Sequence, residues 1–146
     1  MVAKSLEAAV VVLFIGVLTT GLYAGVVPDY RSATAAEVGD RTLVEAANEV
    51  EVAVPANATG VRAERRIDLP TTIRSDGYRI AAVDPASEPP RLELRHPHSS
   101  VEGSRSLALP PHVVAVDGAV TGGDGTVVIE PASGADGVVI RLVDGR

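Results

Sequence analysis

Residues Ala8–Val27 read AAVVVLFIGVLTTGLYAGVV, and the chain carries no charged side chain between Glu7 and Asp29. As a helix rising about 1.5 Å per residue, a run of about 20 residues covers about 30 Å, the thickness of a bilayer core. Thr19, Thr20 and Tyr23 are its polar side chains. A threonine returns its hydroxyl to a carbonyl one turn back, so the pair costs little in lipid. Tyr23 and Tyr30 fall near the outer end, where aromatic rings favour the headgroup zone. Pro28 is expected to end or kink the span. A helix apolar on every side would need a core larger than a chain of 146 residues can wrap around it. The reading is a transmembrane helix.

That reading divides the rest of the chain. Residues 1–28 are expected to form an N-terminal tail and the transmembrane helix, 29–54 an amphipathic helical stem, and 55–146 a β-rich extracellular domain. In the stem, Asp29 can cap, and Ala33, Ala36, Leu43, Val44, Ala47, Val50 and Val54 recur at three- and four-residue spacing among acidic residues. Gly39 costs a helix about 1 kcal/mol relative to alanine and is expected to mark a bend. Pro55–Gly60 is a turn, and its Asn57-Ala58-Thr59 is an N-glycosylation acceptor triplet.

Beyond Gly60 the period changes to two. Val61, Ala63, Ile67 and Leu69 alternate with Arg62, Glu64, Arg66 and Asp68, although Arg65 breaks the apolar face. Further strand candidates are Tyr78–Val83, Arg91–Arg95, Leu107–Leu109, Val113–Val116, Thr126–Ile129 and Val138–Val143. Glycine and proline breakers, among them Pro110-Pro111, Asp117-Gly118 and Gly122-Gly123-Asp124-Gly125, separate them. The fold class is therefore α+β: an N-terminal transmembrane helix and helical stem, then an antiparallel β-sheet or sandwich ectodomain.

The orientation follows from size more than from charge. Lys4 and the terminal amine precede the span, while Arg31 and Arg41 follow it, so the positive-inside bias decides little. A seven-residue tail is easier to leave inside than the domain that follows, and it has the form of a signal n-region. The C-terminal domain is thus expected outside the cell membrane, on a single-pass anchor. Two other readings use the same residues. A cleaved signal would be cut near Leu22-Tyr23-Ala24. A prepilin-type leader sets a basic and a small residue before an uncleaved helix, and Lys4-Ser5-Leu6-Glu7 has that general shape.

Composition excludes several classes of function. The chain has no cysteine, so disulfide staples, thiolate metal sites and a cysteine nucleophile are absent. With no tryptophan, one phenylalanine and a net charge of −6, it is a poor platform for nucleic acid. Of 13 basic residues only Lys4 is lysine. An acidic, lysine-poor surface stays hydrated where salt screens charge to a few ångströms, which points to an extreme halophile; a GC-rich bacterium with the same codon bias is the other reading.

Chemistry-bearing patterns are sparse. His96-Pro97-His98 and His112 could supply imidazoles to zinc or copper, but no carboxylate completes a recognised spacing, and exposed loop histidines are expected. Gly122–Gly125 has the look of one calcium-binding glycine turn in single copy, and a hairpin turn is expected. Ser99, Ser100, Ser104 and Ser106 lie near His98 with no orienting acid in evident register. Arg62, Arg65 and Arg66 are read as a solvated strand face. No catalytic residue, metal site or cofactor is assigned, and the chain is read as a non-enzyme. Gly21 and Gly25, four apart, are the candidate helix-packing residues.

The stretches Leu6–Gly16 and Thr19–Arg31, with Val38–Leu43 and Ile67–Pro70, resemble a haloarchaeal family of small single-span, pilin-like membrane proteins. The resemblance implies a hydrophobic N-terminal helix, a β-rich outer domain and association with type IV pilus-like assemblies; it implies no catalytic residue. The expected function is a pilin-like or pilus-accessory structural subunit of the cell envelope. Its partners would be the lipid bilayer and sister subunits packed through the N-terminal helix, with no nucleic acid. The alternative is a monomeric membrane-tethered surface-binding module without catalytic activity.

Overall fold

A computed structural model describes residues 2–56, 60–134 and 136–145. Helix α1 (Val2–Gly21), a π-helical turn (Leu22–Val26) and helix α2 (Val27–Ala53) follow one another without a break. Thr19 and Thr20 donate their hydroxyls to the carbonyls of Ile15 and Gly16, each at 2.8 Å, as their chemistry requires in an apolar segment. Pro28 does not end the helix. Val27 N–H donates to Leu22 O, five residues back, so the chain meets the proline in a wider turn. Proline brings no N–H to the usual acceptor four residues before it, and a π turn is one way a helix absorbs such a gap.

The chain forms two compact units, one ending at Thr34 and one running from Ala35. In the first, the helix contains an 18-residue window of mean hydropathy 2.3 with no part buried, long and apolar enough to cross a membrane. In the second, the remaining turns of α2 pack on a sheet. Their buried stripe is Ala35, Gly39, Thr42, Leu43, Ala46, Ala47 and Val50, continued by Val54 just past the helix end. Of the residues expected there, Ala33 is exposed and Ala36 and Val44 are half-buried. Gly39 marks a close contact. A Cβ on it would lie 2.8 Å from Val101 O and 2.9 Å from Val101 Cγ1. Thr42 is tolerated in the stripe because its hydroxyl is satisfied by Val38 O at 2.8 Å.

The sheet has seven strands: β1 (Ala63–Asp68), β2 (Arg79–Val83), β3 (Arg91–Arg95), β4 (Gly103–Ser106), β5 (Val113–Thr121), β6 (Asp124–Pro131) and β7 (Val138–Asp144). Their order is β1-β6-β7-β5-β2-β3-β4. Pairing is antiparallel except between β5 and β7, which run parallel. One face carries Ile67, Ile80, Leu92, Leu94, Val120, Val127, Ile129, Ile140 and Leu142 into a core shared with Leu43, Ala47 and Val50. The opposite face carries Glu64, Arg79, Glu93, Glu130 and Arg141. The architecture is one layer over a helix, with no second sheet among the described residues.

Three turn and strand expectations are corrected. Leu107–Leu109 is not a strand; Gly103–Ser106 is the pairing segment, and Leu107 turns inward as a buried side chain. Asp117-Gly118 is no turn but the middle of β5. Gly118 has φ 90°, and β5 pairs with β7 up to it and with β2 from Ala119 onward. A side chain there would overlap the Leu142 carbonyl, so glycine lets one strand serve two partners. Gly122-Gly123 does reverse the chain, yet β5 and β6 are not a paired hairpin, because β7 lies between them. The short link crosses the end of β7, where Asp144 Oδ1 accepts from Thr121 N at 2.6 Å and Thr121 Oγ1 at 2.9 Å.

Arg65, the residue out of phase in β1, reaches Glu49 of α2 with Nε–Oε2 at 2.8 Å. Glu51 Oε1 accepts from Ala108 N at 2.8 Å. Two carboxylates two residues apart thus tie the last turns of α2 to β1 and to the segment after β4.

Candidate functional site

The feature that the chain's own fold leaves unused is the apolar helix surface of the first unit. Leu13, Phe14 and Val17 are 70%, 63% and 65% exposed. Ideal Cβ atoms built on Gly16, Gly21 and Gly25 meet nothing within 4 Å. Their backbone is therefore open to a close neighbour. A shallow groove runs along one side, lined by Val12, Leu13, Gly16, Val17, Thr20 and Gly21. Gly16 and Thr20 are four apart in an α-helical stretch, a small-residue pair of the kind that lets helices approach in lipid. Gly25 lies inside the π turn, so Gly21 and Gly25 are separated by a wider turn than an α-helix has. The groove walls Val12, Leu13 and Val17 were not singled out from sequence, because in a run this uniformly apolar no face stands out. Asn57 and its triplet lie outside the described residues.

The histidines are arranged otherwise than expected. His96 is buried, not an exposed loop residue. Its Nε2 lies 2.9 Å from Ile73 O and its Nδ1 accepts from His98 N at 2.9 Å, so both ring nitrogens are engaged within the chain. An acceptor carbonyl at one nitrogen and a donor amide at the other fix the neutral ring with its proton on Nε2. His98 Nε2 lies 3.2 Å from Asp76 Oδ2, and the two rings are 5.5 Å apart. His112 precedes β5 at the end opposite Thr121, away from the other two. Among the described residues no group of three or more histidine, aspartate or glutamate side chains stands together to hold a metal ion. Asp76 is the acid that sequence spacing could not reveal, 22 residues from its partner. No serine hydroxyl bonds to His98 among the described residues.

These two histidines hold an unusual turn. Ile73 and Asp76 exchange backbone hydrogen bonds at 3.0 Å each, with Arg74 at φ 55° and Ser75 at φ 67° between them. Two successive positive φ angles define a turn that favours Asn-Gly, and each non-glycine residue there costs about 1–2 kcal/mol.

The remaining clusters are structural. Arg62 faces Glu64 and Glu130 at 3.7 and 3.4 Å, and Arg141 faces Asp117 and Glu130 at 2.9 and 3.6 Å. All lie on the solvent face, where water and salt screen such pairs. Asp144 is held below its ordinary range, chiefly by the Thr121 backbone bond and then by its hydroxyl.

An apolar helix long enough to cross a membrane, joined in sequence to a one-layer α+β unit, is the class of protein these features define. Residues 1–143 match a family of unknown function, DUF7266, and the chain belongs to that family. No curated protein and no solved structure matches it.

Proposed function

We propose that this chain is a single-pass subunit of the haloarchaeal cell envelope, of pilin-like or pilus-accessory type, with its β unit outside. One observation carries the reading: an apolar helix of which no part of the 18-residue window is buried, in a chain whose other unit has a core of its own. Water penalises that surface by about 25 cal/mol for each Å², so it requires lipid, sister helices or both. In lipid, association relies on close packing, which glycine backbone and a groove permit. Gly16, Gly21 and Gly25 supply the approach, with the Ala8–Val27 segment buried first in the bilayer and then among sister helices.

The test is Gly21→Leu in full-length protein, read by membrane fractionation and by crosslinking in the membrane. The expected result is loss of oligomers with the protein still in the membrane fraction. Oligomers that survive the change would overturn packing through this groove. Oligomers absent from the wild type would turn the reading to a tethered monomeric binding module. Intact mass of the membrane-extracted protein bears on the anchor itself. A full-length mass supports a permanent span, a cut near Ser5 a processed pilin-like subunit, and a cut near Ala24 would leave no anchor.

A further inference from the structure

We propose that the Ile73–Asp76 turn is a proton-operated latch, closed while His96 is neutral and released when His96 takes up a proton. The backbone of Arg74 and Ser75 sits where side-chain-bearing residues are strained, so the turn needs outside support to persist. That support is the histidine pair. His96 holds Ile73 O, His98 holds the Asp76 carboxylate, and the His98 amide locks the His96 ring.

The two imidazoles respond to acid in opposite ways. A proton on His98 turns its contact with Asp76 into an ion pair and tightens the turn. A proton on His96 lands on Nδ1, the atom that accepts from the His98 amide. Acceptor becomes donor, two N–H groups oppose each other, and the bond that orients the ring is lost. The ring is also buried, and a proton on the neighbouring ring 5.5 Å away would carry the same sign. The other charged and titratable groups are Arg74 on the turn itself and, lining one hollow with His96, Tyr78 just before β2, Arg79 at its start, Arg95 at the end of β3 and Glu102 before β4. None of these bonds to His96, so the hydrogen-bond arrangement at His96 sets the switch. Release relaxes Arg74 and Ser75 and bares Ile73, otherwise 1% exposed, at the surface that carries Arg74.

Imidazole is the side chain that changes charge between about pH 5 and 8, which sets the window of the experiment. Full-length protein in detergent micelles is labelled on its histidine nitrogens, and amide exchange is followed at about pH 7.5 and about pH 5, corrected for the intrinsic rate. The expected result is a His96 ring protonated on Nε2 at the higher pH. At the lower pH, protection at Ile73, Asp76 and His98 falls on the order of tenfold while Val127–Ile129 is unchanged. His96→Gln removes the pH dependence. In a second variant, Arg74→Asn with Ser75→Gly, the turn stands without its latch and keeps its protection in acid. A His96 ring protonated on Nδ1 at the higher pH overturns the proposal. So does a loss of protection shared equally by β6, or a turn in the Asn-Gly variant that opens like the wild type.

Discussion

Two helical regions of this chain use apolar residues in opposite ways. Leu13 in α1 is 70% exposed, while Leu43 in α2 is 2% exposed. The difference lies in how the apolar residues are spread. Around α1 they occupy every direction, and a single protein surface can cover only one. In α2 they form a stripe of mostly small residues, with Glu37, Asp40, Arg41 and Glu45 on the exposed side, and one sheet face suffices. The stripe's small size allows approach close enough for Gly39 to touch Val101. The lesson is that apolar content alone does not assign a helix to a core; its angular distribution does.

The largest way to sharpen the contrast is to truncate one leucine in each region. Leu43→Ala should cost the β unit about 2–5 kcal/mol, the usual loss for a buried leucine that leaves a cavity. Leu13→Ala should leave that unit's stability unchanged, because the side chain belongs to the first unit and is largely exposed. Pulse proteolysis across a urea series in detergent reads both, and equal losses would break the comparison. Next in size is Gly118→Ala. The positive φ angle and the overlap with the Leu142 carbonyl together should cost about 2–3 kcal/mol. Exchange should rise first along the β5–β7 seam; a silent variant would show that β5 changes partner without needing glycine there.

The contrast was also what made parts of the fold legible. Twenty uncharged residues announce a helix by length and composition, and period-two alternation located six of the seven strands. What the pattern could not carry was strand order. That β7 inserts between β5 and β6 depends on Asp144 meeting Thr121 and on Gly118 letting β5 change partner, and neither leaves a local signal. Asp117-Gly118 has the composition of a turn, and composition alone predicts one there. Arg65 looked like an error in alternation because Glu49, its partner, lies in another element. In the same way the Asp76–His98 pair and the buried His96 arise from contacts more than 20 residues apart. The glycines of the first unit were visible, but the groove around Gly16 was hidden by uniform hydrophobicity on all sides.

Smaller effects are expected where charge closes the sheet. Asp144 accepts from both groups of Thr121, which lowers its folded pKa. A carboxyl lowered on folding stabilises the fold above its unfolded value, near 4, and loses that contribution as pH falls through the folded value. Asp144→Asn should therefore lower stability at neutral pH, leave it nearly unchanged in acid, and so flatten the acid limb of the stability curve. An acid limb identical to the wild type would assign that dependence to other carboxylates.

Tyr78 offers the mirror image at high pH. Its phenol is pushed up to about 12, first by burial and then by the Glu45 carboxylate, and its hydroxyl donates to Pro70 O at 2.6 Å. A phenol raised on folding contributes stability that is complete below its unfolded value of about 10 and is lost as pH rises through about 12. The difference in phenolate absorbance between wild type and Tyr78→Phe isolates this one ring from Tyr23 and Tyr30. Its midpoint should fall at about 12 in the folded protein and near 10 in denaturant. Tyr78→Phe itself should cost about 0.5–1.5 kcal/mol at neutral pH, the net worth of one hydrogen bond. A folded-state midpoint near 10 would mean that water reaches the phenol, and that the β unit is less closed at this end than the α2 stripe against which α1 is compared.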